Sequence, residues 1–495
     1  MFCKAANKTM FNFNRRDFLK GMAATAAFSP LGGMKLFAAD ENATAPKLRF
    51  GVVSDVHITA AHNVETWEKT IRWFKEQDVD AVLVAGDIAD RGQVSELKDF
   101  ADVWYKVFPD DKGLNGKHVE KIFIFGNHDV ADTRAMKKAM KSEAEREKFY
   151  NGSILKDMNA AWDFCFHEEF KPIYVKQVKG YTFIGAHYSF YQKQLGAFME
   201  DYKSKIDPNM PFFYTQHQQP GNTNYGPWCW GNDGGIATRA LSPFPNAIAF
   251  TGHSHYPLTD ESSIWQGAFT SIGTASLRYC ISRYGRENGN WQMKDQPVLQ
   301  MMPPNTQEGR HGMLVSVYDD HINIQRREFV FDEILGPDWN LPLPINKEQP
   351  YSRERKVQEG LKNPPQFAED AASQITVTEA VGPNRSKVEV PQVTVEFSPA
   401  VTGAHTYDYE VRAERAMHEM IRIYSSKRVL PDKFFLGPNH QDKTVKCVFA
   451  LSELPVNANL RFAITPIDCF GCAGKTIYTK EMKLGVKPAE PKAQP

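Results

Sequence analysis

Leu48-Arg49-Phe50-Gly51-Val52-Val53-Ser54-Asp55-Val56-His57 is the stretch on which the fold turns. Apolar and β-branched residues fill positions 48–54, and the run then opens onto two polar side chains, Asp55 and His57, one residue apart. Such a run reads as a buried strand that empties into a loop. The pattern then alternates. Val64, Trp67, Ile71 and Phe74 share one face at helical spacing, with Asn63 expected as the N-cap. Residues 81–85 read as a second strand, 94–107 as a second amphipathic helix and 121–125 as a third strand. This βαβαβ order predicts an α/β domain with a mainly parallel sheet and functional loops at the carboxyl ends of its strands. Further strand-like runs fall at 181–186, 211–215, 247–251 and 313–318.

Outward from this core, 495 residues exceed the usual size of one domain, so a second domain is expected. Lys+Arg and Asp+Glu number 59 each. With no net charge, no whole-chain field favours nucleic acid or an anionic membrane, and no nucleic-acid binding is expected. At the N-terminus, Asn14-Arg15-Arg16-Asp17-Phe18-Leu19-Lys20, an apolar stretch at 21–28 and Leu36-Phe37-Ala38-Ala39 resemble a twin-arginine export signal over residues 1–39. The resemblance implies a periplasmic or otherwise exported protein. The apolar stretch is well short of the ~20 residues of a membrane span, so none is expected.

Residues 47–335 are expected to form the α/β domain. Residues 336–380 are rich in Pro and charge, show little periodicity and read as a linker. Short alternating runs at 393–397, 407–413, 444–451 and 460–467 predict an all-β sandwich over 381–486. Its stretch 454–471 resembles the later strands of a fibronectin type III module, and a glycan or protein is its expected kind of partner. The tail, 487–495, is expected to be disordered. Of seven cysteines, Cys3 lies in the leader. Cys165, Cys229, Cys280, Cys447, Cys469 and Cys472 are expected to be structural thiols, with a local disulfide open to Cys469-Phe470-Gly471-Cys472.

Five motifs carry the chemistry, in order: Asp55-x-His57; Gly86-Asp87-x-x-Asp90-Arg91-Gly92; Gly126-Asn127-His128-Asp129; His217 after a strand; and Gly252-His253-x-His255. A histidine alone at a strand end is an ordinary surface residue, but the joint pattern resembles the calcineurin-like metallophosphoesterase family over roughly 48–331. The resemblance implies a four-layer α/β/β/α sandwich holding two di- or trivalent metal ions. Asp87 would bridge them. Asp55, His57 and His255 would complete one site, and Asn127, His217 and His253 the other. His128 would face the phosphate and protonate the leaving oxygen, and Asp129 would orient its ring. Carboxylate, amide and imidazole ligands suit Fe, Mn and Zn alike.

The second motif has Ile88, Ala89 and Asp90 where purple acid phosphatases carry a tyrosine, so a tyrosinate-coloured iron site is not expected. The implied activity is hydrolysis of a small phosphate mono- or diester by a metal-bridging hydroxide. Alternatives are a specialised phosphodiesterase for cyclic nucleotides, glycerophosphodiesters or a lipid pyrophosphate, and a non-catalytic envelope binding protein. For substrate contacts, the glycine-rich loop after His217 offers Tyr225 and Trp228, and Arg278 is a candidate phosphate contact. The insertion between His128 and His217, including 164–170, is expected to shape the pocket.

Overall fold

In the computed structural model the opening run is strand β1 (Leu48–Val53). Then follow α1 (Ala61–Glu76), β2 (Ala81–Val84), α2 (Val94–Val107), β3 (Glu120–Phe123) and α3 (Ile154–Phe166). The next group is β4 (Ile173–Val178), β5 (Tyr181–Ala186), α4 (Tyr191–Tyr202), β6 (Phe212–Thr215), α5 (Ile236–Leu241), β7 (Ala247–Thr251), β8 (Ile264–Gln266) and β9 (Thr270–Gly273). Strands β10 (His311–Val317), β11 (His321–Glu328), β12 (Glu333–Ile334) and β13 (Trp339–Pro342) then return to the first sheet. The structure describes residues 45–130, 142, 154–226, 229–290, 301–302, 309–345, 347–431, 434–440, 443–456 and 458–485. The leader, the tail and Trp228 therefore lie outside the described residues.

The strand pattern alone predicts a mainly parallel sheet; the structure has two mixed sheets, as the four-layer arrangement implied by the resemblance requires. The first runs β12-β11-β10-β1-β2-β3, with β13 also on β11; β1, β2 and β3 are parallel, and β10 is antiparallel to β1. The second runs β4-β5-β6-β7-β9-β8, parallel from β5 through β9. Alternation along the strands settles how they stack. Phe50 and Leu83 join Phe183, Phe213 and Phe250 in a core between the sheets, with the Phe50 ring 4.7 Å edge-on to Phe213. Val82 and Val84 point the other way, under Trp67 and Phe74 of α1 and Phe100 and Trp104 of α2. On the far side, Phe212 and Tyr214 pack against Leu195 of α4 and Leu241 of α5. The result is a four-layer α/β/β/α sandwich. Removing a ring as buried as Phe50 costs about 3 to 5 kcal/mol.

Three expectations are corrected here. Helix α1 begins after Ala60, whose backbone is extended, and Asn63 is buried within the helix instead of capping it. The span 336–380 is not a featureless linker. It supplies β13, the helix α6 (Arg353–Lys362) and, from 376, β14 (Thr376–Pro383). It shows no periodicity because α6 has no apolar stripe, burying only Gly360, and β13 joins by backbone pairing. In the insertion, Phe166 and Phe170 are core residues around Trp162 and Phe125 and do not line a pocket.

Beyond β14 come β15 (Glu389–Phe397), β16 (Thr406–Met417), β17 (Met420–Val429), β18 (Val445–Ala450), β19 (Asn459–Asp468), β20 (Ile477–Tyr478) and β21 (Met482–Lys483). Sheet β14-β15-β18 faces sheet β17-β16-β19, with β20 and β21 both on β19, across a core that includes Phe397, Tyr409, Val411, Phe449 and Phe462. All pairings are antiparallel, consistent with an all-β domain.

One strap ties this domain to the α/β sandwich. Arg283 grips Asp260 at 2.7 Å, donates to the Cys469 carbonyl at 3.2 Å and, through its backbone N–H, to the Tyr407 hydroxyl. Arg286 Nε meets Asp408 at 2.6 Å, and the Asn288 side chain exchanges two hydrogen bonds with the Leu430 backbone. The described cysteines are free thiols, Cys469 and Cys472 among them. Among the described residues no helix is long and apolar enough to cross a membrane.

Candidate metal centre

Each motif leaves the carboxyl end of a parallel strand: Asp55 and His57 after β1, Asp87 after β2, Asn127 to Asp129 after β3, His217 after β6, and His253 and His255 after β7. The loops continue the sheet's pairing, with Asp55 N–H on the Gly86 carbonyl at 2.9 Å and His57 N–H on the Asp87 carbonyl at 3.0 Å. Asp55, His57, Asp87, His253 and His255 all have φ between +49 and +69. For residues with a Cβ this left-handed backbone is unfavourable, and it aims the side chains inward at a local cost that the surrounding structure offsets. Gly126 is required for a different reason. A Cβ there would fall 2.2 Å from Asp87 Oδ1, so the second and third motifs close on each other only over a bare backbone.

Among the described residues three groups of candidate ligand atoms result: Asp55, His57 and His255; Asp87, His217 and His253; and, sharing His57 with the first, His57, Asp90 and His128. His255 Nε2 is 3.0 Å from Asp55 Oδ1 and 3.3 Å from His57 Nε2. Asp87 Oδ2 lies between the first two groups, 3.1 Å from His217 Nε2 and 3.7 Å from His57 Nε2. Behind two of the rings Nδ1 is hydrogen-bonded to a backbone carbonyl, that of Ala85 for His217 and that of Tyr279 for His255, while behind His57 the Asp90 carboxylate lies 3.2 Å from Nδ1. This fixes the ring and presents Nε2 to the centre, the arrangement that metal-binding histidines use.

The donor set fits a metal. Asn127 Oδ1 and His217 Nε2 are buried with no hydrogen-bond partner, a costly state for polar atoms unless a cation completes them. Titration agrees. Burial pushes Asp55 up, yet the imidazoles of His255, His57 and His217 hold it well below the usual carboxylate range. Against burial, the carboxylates of Asp55, Asp90 and Asp87 raise His57 to about 10, and those of Asp87 and Asp55 raise His217 to about 9. His253 falls to about 3 through burial and the neighbouring His217. The carboxylates thus call for positive charge at their centre, which a metal ion supplies better than a protonated imidazole.

Asp129 is corrected. Its carboxylate does not reach His128; it accepts from the backbone N–H groups of Gly126 at 2.6 Å, Ala89 at 2.7 Å and Ile88 at 3.2 Å, clamping the second and third motifs together. Burial and the Asp87 charge push this carboxyl up to about 7. His128 is oriented by Asp90 instead: its Nδ1 meets the Asp90 carbonyl at 2.7 Å, and its backbone N–H donates to Asp87 Oδ1 at 2.7 Å. The Asp90 carboxylate also backs His57 and pairs with Arg278, and these partners lower it to about 2. Its place in the second motif does not reveal these partners; they arise where the loops cross.

Among the expected substrate contacts, Tyr225 is buried against Tyr256 with ring centroids 4.9 Å apart, so it is a core residue beneath its loop. The exposed aromatic of that loop is Trp230, stacked on His253 at 4.8 Å and 14°. Arg278 does reach the site, held by Asp90 beside Tyr279. Tyr279, which no sequence motif marks, lies over His255 at 4.5 Å.

Paired carboxylate and imidazole clusters on strand ends of a four-layer sandwich are the hallmarks of a metallophosphoesterase. The family comparison agrees: the family model described as calcineurin-like phosphoesterase matches residues 48–257, so the chain carries a calcineurin-like phosphoesterase domain and is a phosphoesterase. No curated protein matches the chain. Among solved structures it is similar to a dimetal phosphatase from Danio rerio, at 12% identity and a TM-score of 0.34 over 60% of this chain and 99% of that one. It is also similar to the anchor in the inner membrane complex of Plasmodium, at 11% identity and a TM-score of 0.36 over 63% of this chain and 93% of that one.

Proposed function

We propose that the protein hydrolyses small phosphate mono- or diesters at a centre of two metal ions, with Asp87 bridging the ions. Asp55, His57 and His255 would hold one ion and Asn127, His217 and His253 the other. The placement of Asp87 Oδ2 between the Nε2 atoms of His217 and His57 carries this reading, since one carboxylate oxygen there serves both groups. When bound, the metals supply Lewis acidity: they offset phosphate charge and lower the pKa of water.

His128 would assist the leaving group. Its Nδ1–H donates to the Asp90 carbonyl, which leaves Nε2 to pass a proton to the departing oxygen. Arg278, anchored on Asp90, would bind a phosphate oxygen. The arginine pair and apolar stretch of the leader support export to a periplasmic setting. Two antiparallel sheets, of three and five strands, packed across one core support a fibronectin type III kind of C-terminal sandwich.

The test is turnover of p-nitrophenyl phosphate and bis-p-nitrophenyl phosphate by purified protein, before and after chelation, with Mn, Zn or Fe restored and Asp87→Asn alongside. Metal-dependent turnover that Asp87→Asn loses is expected, and the diester-to-monoester ratio separates the two kinds of ester. Turnover that survives both chelation and the substitution would sink the proposal.

A further inference from the structure

Large aromatics in this chain are mostly buried, yet two of those exposed stand on the metal centre. Trp230 is 43% and Tyr279 42% exposed. Each covers a different candidate ligand group. Trp230 lies nearly parallel to His253 of the Asp87 group, and Tyr279 lies over His255 and, at 6.4 Å and 24°, His57 of the Asp55 group.

Both are held rigidly. The Trp230 carbonyl accepts from Gln219 Nε2 at 2.7 Å and the Gly231 carbonyl from Gln218 Nε2 at 3.1 Å, so the two residues after His217 pin the turn that carries the indole. Gly231 allows this approach: a Cβ there would lie 2.5 Å from His253 Cδ2. Tyr279 donates its backbone N–H to Ser276 Oγ at 3.2 Å and accepts from His255 Nδ1 through its carbonyl. Exposed aromatic faces fixed in advance lose little entropy on stacking, which is what a binding rim requires.

We infer that Trp230 and Tyr279 form an aromatic rim that selects phosphate esters bearing a planar aromatic ring, aryl or nucleobase, over purely aliphatic ones. The inference rests on the phosphoesterase reading, because the phosphate must sit at the centre for its substituent to reach the rim. Stacking of a base on an aromatic side chain is worth about 1 to 3 kcal/mol, so roughly tenfold selectivity is expected where both rings are in place to hold the substituent between them.

The test uses binding, with Mn-loaded protein and three unreactive probes: methylphosphonate, phenylphosphonate and the phosphonate isostere of AMP. At least one ring-bearing probe should bind about tenfold more tightly than methylphosphonate. That preference should fall to within about threefold in Trp230→Ala and in Tyr279→Ala. Trp230→Leu and Tyr279→Leu, which keep bulk without a π face, should lose it too, with two metals per chain retained by elemental analysis. A preference for phenylphosphonate alone assigns an aryl ester, and one for the AMP isostere alone a nucleotide. No preference in the parent protein, or one unchanged in all four variants, overturns the inference. Failure of the phosphoesterase reading shows separately, as no turnover of methyl phosphate or bis-p-nitrophenyl phosphate with any metal.

Discussion

Two polar concavities can be compared directly. The crevice between the α/β sandwich, α6 and the C-terminal domain encloses about 1200 Å³, and Arg326, Glu261, Trp339 and His405 line it. There the polar groups answer one another. Arg326 gives its two Nη atoms to the carbonyls of Leu258 and Pro337 and to Glu261, and lies 4.3 Å over the Trp339 ring; Trp339 Nε1 donates to Glu261. Among its described lining residues, Arg326 Nε and Thr259 Oγ1 are left without a partner. At the candidate metal centre the polarity is turned around: the Nδ1 atoms of His217 and His255 are satisfied from behind, while the carboxylate, amide and Nε2 atoms converge with too few donors among them. The lining of the larger cavity joins the domains, and the smaller cluster has the donor set to hold a cation. Volume is the poorer guide to chemistry; unanswered polar atoms are the better one.

The largest effect should follow from Asp87→Asn. Removing a group that acts only behind a metal ligand costs about 10- to 100-fold, and loss of the carboxylate proposed to bridge the ions should cost more than about a hundredfold in kcat. Elemental analysis should show fewer than two metals per chain. A variant that keeps both metals and full turnover breaks the contrast. Arg326→Met should act on folding instead. Breaking a buried pair costs about 3 to 5 kcal/mol, read as a lowered urea midpoint, while the folded fraction keeps its metal content and kcat. Loss of metal in that variant would mean that the crevice and the centre are coupled.

Asp90→Asn tests the link behind the first motif. A 10- to 100-fold fall in metal affinity or kcat, with the melting temperature of the metal-free protein nearly unchanged, is expected. Saturating metal should in turn stabilise the parent protein by about 2.7 kcal/mol at a hundred times Kd, measured as a shift in the urea midpoint. A metal that does not shift it does not bind the folded state selectively.

The smallest effect concerns pH. His311 joins the two domains: its Nδ1 accepts from Leu258 N–H at 3.0 Å, and its Nε2 donates to the Phe435 carbonyl at 2.8 Å. Burial lowers it to about 4, with Arg326 adding to the effect. The folded value lies below the unfolded value of about 6.5, so the unfolded chain takes up the proton first. Stability is therefore full above about 6.5 and is lost as the pH falls through about 4. His311→Asn should flatten this part of a urea-midpoint titration, and an unchanged slope would remove His311 as its source.

The ligand set could be read from the chain because each motif is local: a strand ends, and one or two side chains follow at fixed spacing. The four layers came with the family resemblance that the motifs carry, because the strand runs Val82-Leu83-Val84 and Phe212-Phe213-Tyr214 are apolar throughout and do not by themselves say how many sheets they form. What escaped depends on where loops cross. Asp129 follows His128 in sequence, yet three backbone N–H groups from two other stretches claim its carboxylate, while Asp90 from the second motif takes over His128. Tyr225 and Trp230 lie five residues apart in one glycine-rich loop, and only the packing of Tyr256 decides which is buried. Strand β17 went unread because Met420, Ile421 and Ile423 are exposed on both of its faces, which erases the alternation that betrays a strand.

The strap from Arg283 to Asn288 has a consequence for how the chain can be cut and recombined. Its upstream neighbours, Arg278 and Tyr279, form one wall of the metal centre, and its own side chains are anchored on Asp408, Leu430 and Cys469 in the last third of the chain. The matched family segment ends at residue 257, so this wall is built by sequence beyond the family core and held by the appended sandwich. A shortened chain ending near residue 335 would keep every candidate metal ligand while releasing the far end of that wall. The sandwich thus anchors the far end of a wall of the candidate metal centre, and a chain in which another domain took its place would lose the contacts to Asp408, Leu430 and Cys469 that hold that wall.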